Sequence, residues 1–389
     1  MTSHFVAGRV LAIDASRAVV LDGINPIEVF GLSPGDAQVG DLVRITLDDA
    51  RHVTATELVF RPVRRPFSAG TETRRIVHES MGARLTLRMR ALDAVRAWFR
   101  AEGFVEVETP SVAPCPGLDL HLDAYDVADR EGALFGRLIT SPEYHMKRLL
   151  VGGIPRCFQL ARCWRAGELG RRHQPEFTML EWYRAWRSLD AMMSDTESIV
   201  RAAASVTERP HTITLGDLRV PIDAPFERLT VREAFARHCP TVRDPIALAA
   251  SDEQRYYEAF SVEVEPMLGR ERPVFLTRFP ACHASLAKVC ADDSTVCERT
   301  ELYVAGVELC NAFLELTDPV EQRARFEADQ RARAARGLPV YPIDEDFMAA
   351  LDEGMPPSAG NALGVDRLLA LVMGSAEIAT VMAFPRATR

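Results

Sequence analysis

Lysine is almost missing from this sequence. Of 46 basic residues only Lys147 and Lys288 are lysines, and every other is arginine. Three explanations compete: a compositional bias of the coding sequence, a site at Lys147 that needs an ammonium group, or a handler of activated acyl groups that carries few acceptor amines of its own. The 8 cysteines include no Cys-x-x-Cys pair. That spacing excludes a zinc ribbon and a disulfide framework and points to reduced thiols in a cytoplasm. No run is long and apolar enough to span a bilayer, and the opening MTSHFVAGRVLAID has no basic stretch followed by a long apolar one. A cytoplasmic protein with no membrane partner is therefore expected. An excess of positive charge is lacking too. With 55 acidic residues the net charge is -9, which excludes a chain whose whole surface coats nucleic acid but allows a local basic groove. Internal repeats and low-complexity tracts are absent.

What is present is enough chain for more than one domain: 389 residues, 47% of them hydrophobic. Residues 5–60 read as five short strands punctuated by Gly, Pro, Asn and Asp, which predicts a small barrel of the oligonucleotide-binding (OB) type. Its few aromatics, Phe5, Phe30 and Phe60, and its lack of lysine leave a structural or docking role at least as open as RNA binding. The Pro- and Arg-rich stretch at 61–72 reads as a linker. Helical spacing of Leu92, Val95 and Phe99 predicts a helix over about 85–102, stopped by Gly103. A strand ending at Pro110 follows. Further on, a helix is expected around 145–150, then two strands, PRCFQLARCW and EFTMLEWYRAW, joined by an exposed charged loop. Residues 190–260 read as mostly helical. TELYVAGVELCNAFLEL reads as a strand pair turning at Gly306, EQRARFEADQRARAARGL as a polar helix with a solvated face, and SAGNALGVDRLLALVMG as a strand running into an apolar helix. The domain reading is 1–65 barrel, 66–80 linker and 81–389 catalytic domain.

The densest chemistry lies at 158–183. Arg165, Arg171, Arg172 and His173 stand beside Glu168, Glu176 and Glu181, with Phe177 between. Cations bind phosphates, an aromatic face stacks on a base, and carboxylates hold an ammonium group. These are the parts needed to bring a nucleoside triphosphate and an amine-bearing acid together.

Four blocks in order, TSPEYHMKRLLVGG, RRHQPEFTMLEWY, ELYVAGVEL with NAFLELTD, and GNALGVDRL, resemble the class II lysyl-tRNA synthetase family across about residues 85–389. Within it the phrases PEFTMLEWYR, LELTD, RAARGLP and ALGVDRL are most similar to the paralogs that ligate lysine or β-lysine to elongation factor P. The resemblance implies an α+β fold, a class II aminoacyl-tRNA synthetase catalytic domain with an antiparallel sheet flanked by helices, here preceded by the OB-like barrel. It implies a homodimer formed through the helix, strand and Pro110. It implies ATP and Mg2+, an aminoacyl-adenylate intermediate, and transfer of the acyl group to a lysine of elongation factor P.

The same resemblance assigns roles. Arg165 and Arg367 would be catalytic, Arg165 at the α-phosphate and Arg367 near the γ-phosphate and over the adenine. Phe177 would stack under adenine, His173 would hold the bent triphosphate, and Glu168, Leu309 and Gly364 would complete the ATP site. Glu301 and Glu308 would be the magnesium pair, unless they are ordinary strand carboxylates. Glu181, Tyr183, Asn311 and Glu315 would surround the substrate's ε-ammonium, with Glu143 at its other amine, Phe313 along its stem, and Ser141, Pro142 and Ala362 lining the pocket. Glu143 is also readable as a plain helix N-terminal carboxylate.

The sequence departs from the family's pattern at four points. Trp164-Arg165-Ala166-Gly167-Glu168 displaces the usual Glu by one, Asn311-Ala312-Phe313 replaces Asn-Gly-Phe, Gln174 stands for an Asn, and Ala362 for the Gly of lysyl-tRNA synthetases. A methyl at Ala362 narrows the pocket near the α-amine and favours an acid whose amine sits on the β-carbon. Two other readings compete with the protein ligase: a compact enzyme charging tRNA, and an inactive amino-acid sensor. The first 66 residues hold 7 Arg and 8 Asp or Glu, too near neutral for a tRNA-binding face. The survival of Arg165, Phe177, Glu308, Glu315 and Arg367 argues against a sensor.

Overall fold

The computed structural model describes residues 4–68 and 71–386. The chain divides into two units, Met1–Arg88 and Met89–Arg389.

The first unit is built on β1 (His4–Ile13), β2 (Arg17–Asp22), β3 (Asn25–Phe30), β4 (Leu42–Leu47) and β5 (Val53–Phe60). They form one sheet in the order β3-β2-β1-β4-β5. Alternate residues, among them Val6, Val10, Val20, Val29, Val43 and Ile45, fill a common core, as a half-buried strand's period of two requires. The outer strands meet at one parallel bridge, Phe30 with His52. That is an OB-like strand order, although a single bridge is not a closed barrel wall. Helix α1 (Glu72–His78) follows, N-capped by Thr71. Helix α2 (Met81–Ala101) starts four residues earlier than the spacing predicted. Its first turn lies against this sheet, where a Cβ on Gly82 would come 3.1 Å from Ile24 Cγ2.

The second unit holds β6 (Val105–Glu106) and a small three-stranded sheet of β7 (Val112–Ala113), β8 (Asp126–Ala128) and β9 (Leu134–Leu138). Next come α3 (Glu143–Val151), β10 (Arg156–Trp164), β11 (Glu176–Ala185) and α4 (Leu189–Ala204). The region expected to be mostly helical contains a hairpin, β12 (Thr212–Leu215) and β13 (Leu218–Pro221), and β14 (Glu227–Thr230), before α5 (Val231–His238), α6 (Pro245–Ser251) and α7 (Glu253–Ala259). These strands are four residues each, too short for a periodic signal to stand out. Then follow β15 (Val274–Pro280), β16 (Val296–Val304), β17 (Val307–Leu314), α8 (Pro319–Ala335), α9 (Glu345–Gly354), β18 (Ser358–Gly364) and α10 (Val365–Val372).

The main sheet has eight strands in the order β14-β15-β16-β17-β18-β11-β10-β6. It is antiparallel except at its ends, where β14 runs parallel to β15 and β6 to β10. One face is sealed by α2, α4 and α10. There Phe99 stacks on Phe158 at 4.2 Å, among Trp182, Phe275 and Leu302. The other face packs against α3, α5 to α7 and α9 through Tyr144, Phe235, Tyr256 and Phe347. The β16–β17 hairpin turns at Ala305 and Gly306, with φ of 55° and 71°, the two left-handed residues of a tight hairpin turn.

One prediction for a helix surface needs correcting. Helix α8 does not present only a solvated face, because Arg333 is fully buried. Its guanidinium donates to the carbonyls of Asp119, Leu120, Leu122 and Pro339 and pairs with Asp123. A buried guanidinium is tolerated because its donors are met.

Candidate active site

The strands' period of two builds the site. On β11, Phe177, Met179, Glu181 and Tyr183 share one face while Leu180 and Trp182 enter the core on the other. Across from them β18 brings Ala362 opposite Glu181 and Gly360 opposite Tyr183. Strand β17 places Asn311 opposite Ala362 and Phe313 opposite Gly360. Glu308 is three residues from Asn311 and would face away in a regular strand. A bulge between the pairs Leu302–Cys310 and Tyr303–Glu308 restores it to the site face, leaving the Leu309 side chain in the core.

Two adjoining clefts result. The first, about 900 Å3 counted out to its mouth, is lined by Ser141, Glu143, Glu181, Tyr183, Asn311, Phe313, Glu315 and Ala362. Pro142 is not among its lining residues; it caps the start of α3. Gly360 permits the close packing of this floor, since a Cβ there would lie 2.3 Å from Tyr183 and 2.4 Å from Glu315.

Charge in this cleft is unevenly matched. Lys147, 1% exposed, sits between Glu143 at 2.6 Å and Glu315 at 2.5 Å. So one of the two lysines answers two of the carboxylates expected to meet substrate. Burial lowers the ammonium's affinity for its proton, but the two carboxylates outweigh that and hold the pKa above the ordinary value. Among the described residues Glu181, also 1% exposed, has only neutral donors: the Ser141 hydroxyl and the Tyr183 hydroxyl at 3.0 Å. Burial first, and the Glu143 charge second, push its carboxyl well above the usual range. Ser141 also accepts from the Glu143 backbone N–H at 3.1 Å, so it ties the helix start to Glu181.

The second cleft, about 1170 Å3 by the same measure, is lined by Arg165, Glu168, His173, Phe177, Glu308, Leu309, Gly364 and Arg367. Arg172 joins them. The Arg165 guanidinium lies 5.2 Å over the Phe177 ring. Arg367 donates to the Arg172 and Glu308 carbonyls, approaches the Glu308 carboxylate at 3.4 Å and meets His173 Nε2 at 2.6 Å. Burial and then the adjacent Arg367 charge lower the His173 pKa, so its ring accepts this bond as the neutral form. Glu168 lies 3.8 Å from Arg165. Gly364 N-caps α10, and a Cβ there would meet only the Arg367 stem at 3.5 Å.

Glu301 lines neither cleft. Its two oxygens take Arg299 at 2.5 Å and the Tyr303 hydroxyl at 2.6 Å. The expected magnesium pair is therefore unequal: Glu308 faces the nucleotide cleft, and Glu301 is held by its own strand. Among the described residues no group of three or more His, Cys, Asp or Glu could hold a metal ion.

Sequence reasoning gave no role to four participants. Arg299 lines both clefts and donates to Asn311 Oδ1 at 3.0 Å. Its place two residues before Glu301 on a strand was the available signal. Asp366, buried, accepts from the Thr178 backbone N–H at 2.7 Å and pins α10 beside Phe177. Asp119 lines both clefts from a loop without periodicity. Gln174 clasps the Arg386 backbone at both its N–H and its C=O.

An open-faced antiparallel sheet carrying an arginine-rich cleft beside an acidic one defines a ligase of the class II aminoacyl-tRNA synthetase kind. The chain belongs to the family described as tRNA synthetases class II (D, K and N), which matches residues 69–388. Relatives named elongation factor P--(R)-beta-lysine ligase are 39% identical in Edwardsiella ictaluri, 42% in Photorhabdus laumondii and 41% in Proteus mirabilis. Each alignment covers 78% of this chain and 94%, 94% and 95% of the relative. No helix among the described residues is long and apolar enough to cross a membrane.

Proposed function

We propose that this chain activates a diamino acid, (R)-β-lysine or lysine, with ATP as an aminoacyl-adenylate and transfers the acyl group to a lysine side chain of elongation factor P. The observation that carries the reading is Glu181: among the described residues this buried carboxylate has no ion-pair partner, in a cleft where Glu143 and Glu315 already share Lys147. Such a group calls for a cationic ligand.

The adjoining cleft suits ATP, with Phe177 for the base and Arg165, Arg172 and Arg367 for phosphate oxygens. The substrate carboxylate is already ionised and needs no general base. Its oxygen attacks the α-phosphorus, the bond to the β-phosphate oxygen breaks, and pyrophosphate leaves. Arg165 stabilises the charge that grows between them. Glu308 would hold Mg2+, a hard cation suited to oxygen donors, with Glu301 joining it by releasing Tyr303 or Arg299. The ion would supply charge neutralisation for the departing pyrophosphate.

Ala362 lies between Glu181 and Asn311, so its methyl narrows the floor of the amino-acid cleft; this is the ground for favouring β-lysine. The relatives' printed name supports elongation factor P as acceptor. Residues 1–68 lie outside the family match, and this extra unit is the feature that favours tRNA charging instead. Three of its seven arginines weaken that reading: Arg17 is paired with Asp14 and Glu28, Arg44 with Glu57, and Arg61 with Asp41. We retain 1–65 as an OB-like barrel, 66–80 as linker and 81–389 as catalytic domain, and a homodimer through α2, whose Met89 is 56% exposed.

An acyl-transfer assay with elongation factor P and tRNA side by side, each with α-lysine and β-lysine, tests the proposal. Mass gain on the protein supports it, and charged tRNA alone replaces it with the second reading.

A further inference from the structure

The carboxylate of an amino acid must reach the α-phosphate, so the reacting end of the substrate lies where the two clefts meet. Arg165, Arg299, Asn311 and Asp119 line both clefts, and Asp119 is the only carboxylate among the described residues that does so. The Arg299 guanidinium is spent on Glu301, the His283 carbonyl and Asn311 Oδ1. Arg165 keeps a buried Nε without a partner among the described residues. The junction thus offers a guanidinium to the substrate carboxylate and a single negative group beside it. An amine on the α- or β-carbon cannot lie far from that carboxylate. Glu143, the group expected at this amine, lines the amino-acid cleft but not the nucleotide cleft, and Lys147 holds it at 2.6 Å.

Asp119 comes from the connection between β7 and β8, outside the sheet that forms the floor. Its backbone is fixed. The buried Arg333 donates to the carbonyls of Asp119, Leu120 and Leu122 and gives its charge to Asp123. The neighbouring Leu118 N–H donates to the Tyr144 hydroxyl at 3.1 Å. One carboxylate oxygen of Asp119 accepts from the His121 N–H at 2.9 Å, closing a turn. The other oxygen has no hydrogen-bond or ion-pair partner among the described residues, and the side chain is exposed in the open cleft. A carboxylate held in place by its backbone, with one oxygen left over, is prepared for a ligand rather than for the fold.

We propose that Asp119 is the specificity residue for the substrate's second amine: its free oxygen binds the ammonium on the α- or β-carbon while Arg165 binds the carboxylate and Glu181 the ammonium at the far end. The inference rests on the proposed activation of a diamino acid. Three charges at fixed places then read the whole ligand. An ω-amino acid without the second amine leaves Asp119 facing the substrate carboxylate with no cation between them, so the same residue that favours the diamino acid rejects its deaminated analogue.

Asp119→Asn tests the assignment, because the amide oxygen still accepts from the His121 N–H and only the charge is removed. The probes are (R)-β-lysine, lysine and ε-aminocaproate, which keeps the carboxylate and the far ammonium but has no second amine. Pyrophosphate exchange gives kcat/KM for the diamino acids, and competitive inhibition of that exchange gives the inhibition constant of ε-aminocaproate. The variant is expected to lose about 10- to 100-fold in kcat/KM for the diamino acid, mostly through KM, while ε-aminocaproate binds as tightly as before or more so and the KM for ATP is unchanged. Diamino-acid kcat/KM within about threefold of wild type overturns the assignment. An equal loss for ε-aminocaproate overturns it too, since it marks a structural role. So does a matching rise in the KM for ATP or in the Mg2+ requirement, which would put Asp119 in the nucleotide site. A wild-type protein without exchange for either diamino acid overturns the activation reading itself, and the role of Asp119 with it.

Discussion

Replacing Glu181 by Gln separates what the empty cleft tolerates from what its ligand needs. Glutamine keeps the shape and can still accept from the Tyr183 hydroxyl, which lies 3.0 Å from the carboxylate. It removes only the capacity for charge. In the empty protein burial and the neighbouring Glu143 hold this carboxyl above the ordinary 4.5, so the folded state binds its proton more tightly than the unfolded chain does. The wild type thus has the full benefit of that proton below about pH 4.5 and loses it as pH rises through the displaced value. Each pH unit of displacement is worth ~1.4 kcal/mol. Glu181→Gln should therefore match the wild type near pH 4.5 and exceed it on the alkaline side by on the order of 2–4 kcal/mol. At this domain size that is roughly 3–6 °C in Tm. The same variant should lose activation of the diamino acid, since an unpaired buried ammonium costs ~2–5 kcal/mol, or roughly 30- to 5000-fold in kcat/KM. Binding to the wild type should release a proton, read as a buffer-dependent enthalpy in calorimetry above neutral pH, and binding to the variant should not. Equal thermal stability of the two proteins from pH 5 to 9 would refute the account, as would wild-type activation by the variant.

Lys147→Met should strand Glu143 and Glu315, destabilising the protein by ~3–5 kcal/mol in urea titration at neutral pH and by less in acid, where carboxyls take up protons. Gly360→Ala should cut kcat/KM for the amino acid by on the order of 100-fold or more, because the new methyl must displace Tyr183 or Glu315, with the ATP dependence of binding unchanged by fluorescence titration. Ala362→Gly should raise pyrophosphate exchange with α-lysine, and unchanged exchange would reject the steric argument. Arg165→Ala should lower exchange by ~10²–10³-fold, measured at saturating ATP and amino acid.

The alternation on β11 and β18 was legible, because a strand's side chains obey a period of two whatever surrounds them. So were the turn at Gly306 and the placement of Arg165, Phe177 and Arg367 around one cleft, since ordered motifs carried them. Glu308 was harder. Its side of the sheet depends on a bulge between β16 and β17, and a bulge belongs to the pairing of two strands rather than to either one. Arg333 looked like one more exposed arginine of a polar helix. Its carbonyl partners at Asp119, Leu120 and Leu122 lie more than 200 residues away, beyond any local pattern.

Residue types, their order and their spacing determined the family, the strand faces and the set of groups available for phosphate and ammonium. The tertiary structure alone decided which of those groups remain open to a ligand. Lys147 closes off Glu143 and Glu315, and Arg299 with Tyr303 closes off Glu301, while Glu181 is left with hydroxyls. The reason is that backbone periodicity is local, whereas the free energy of a buried charge is set by whichever groups the fold brings within a few ångströms of it.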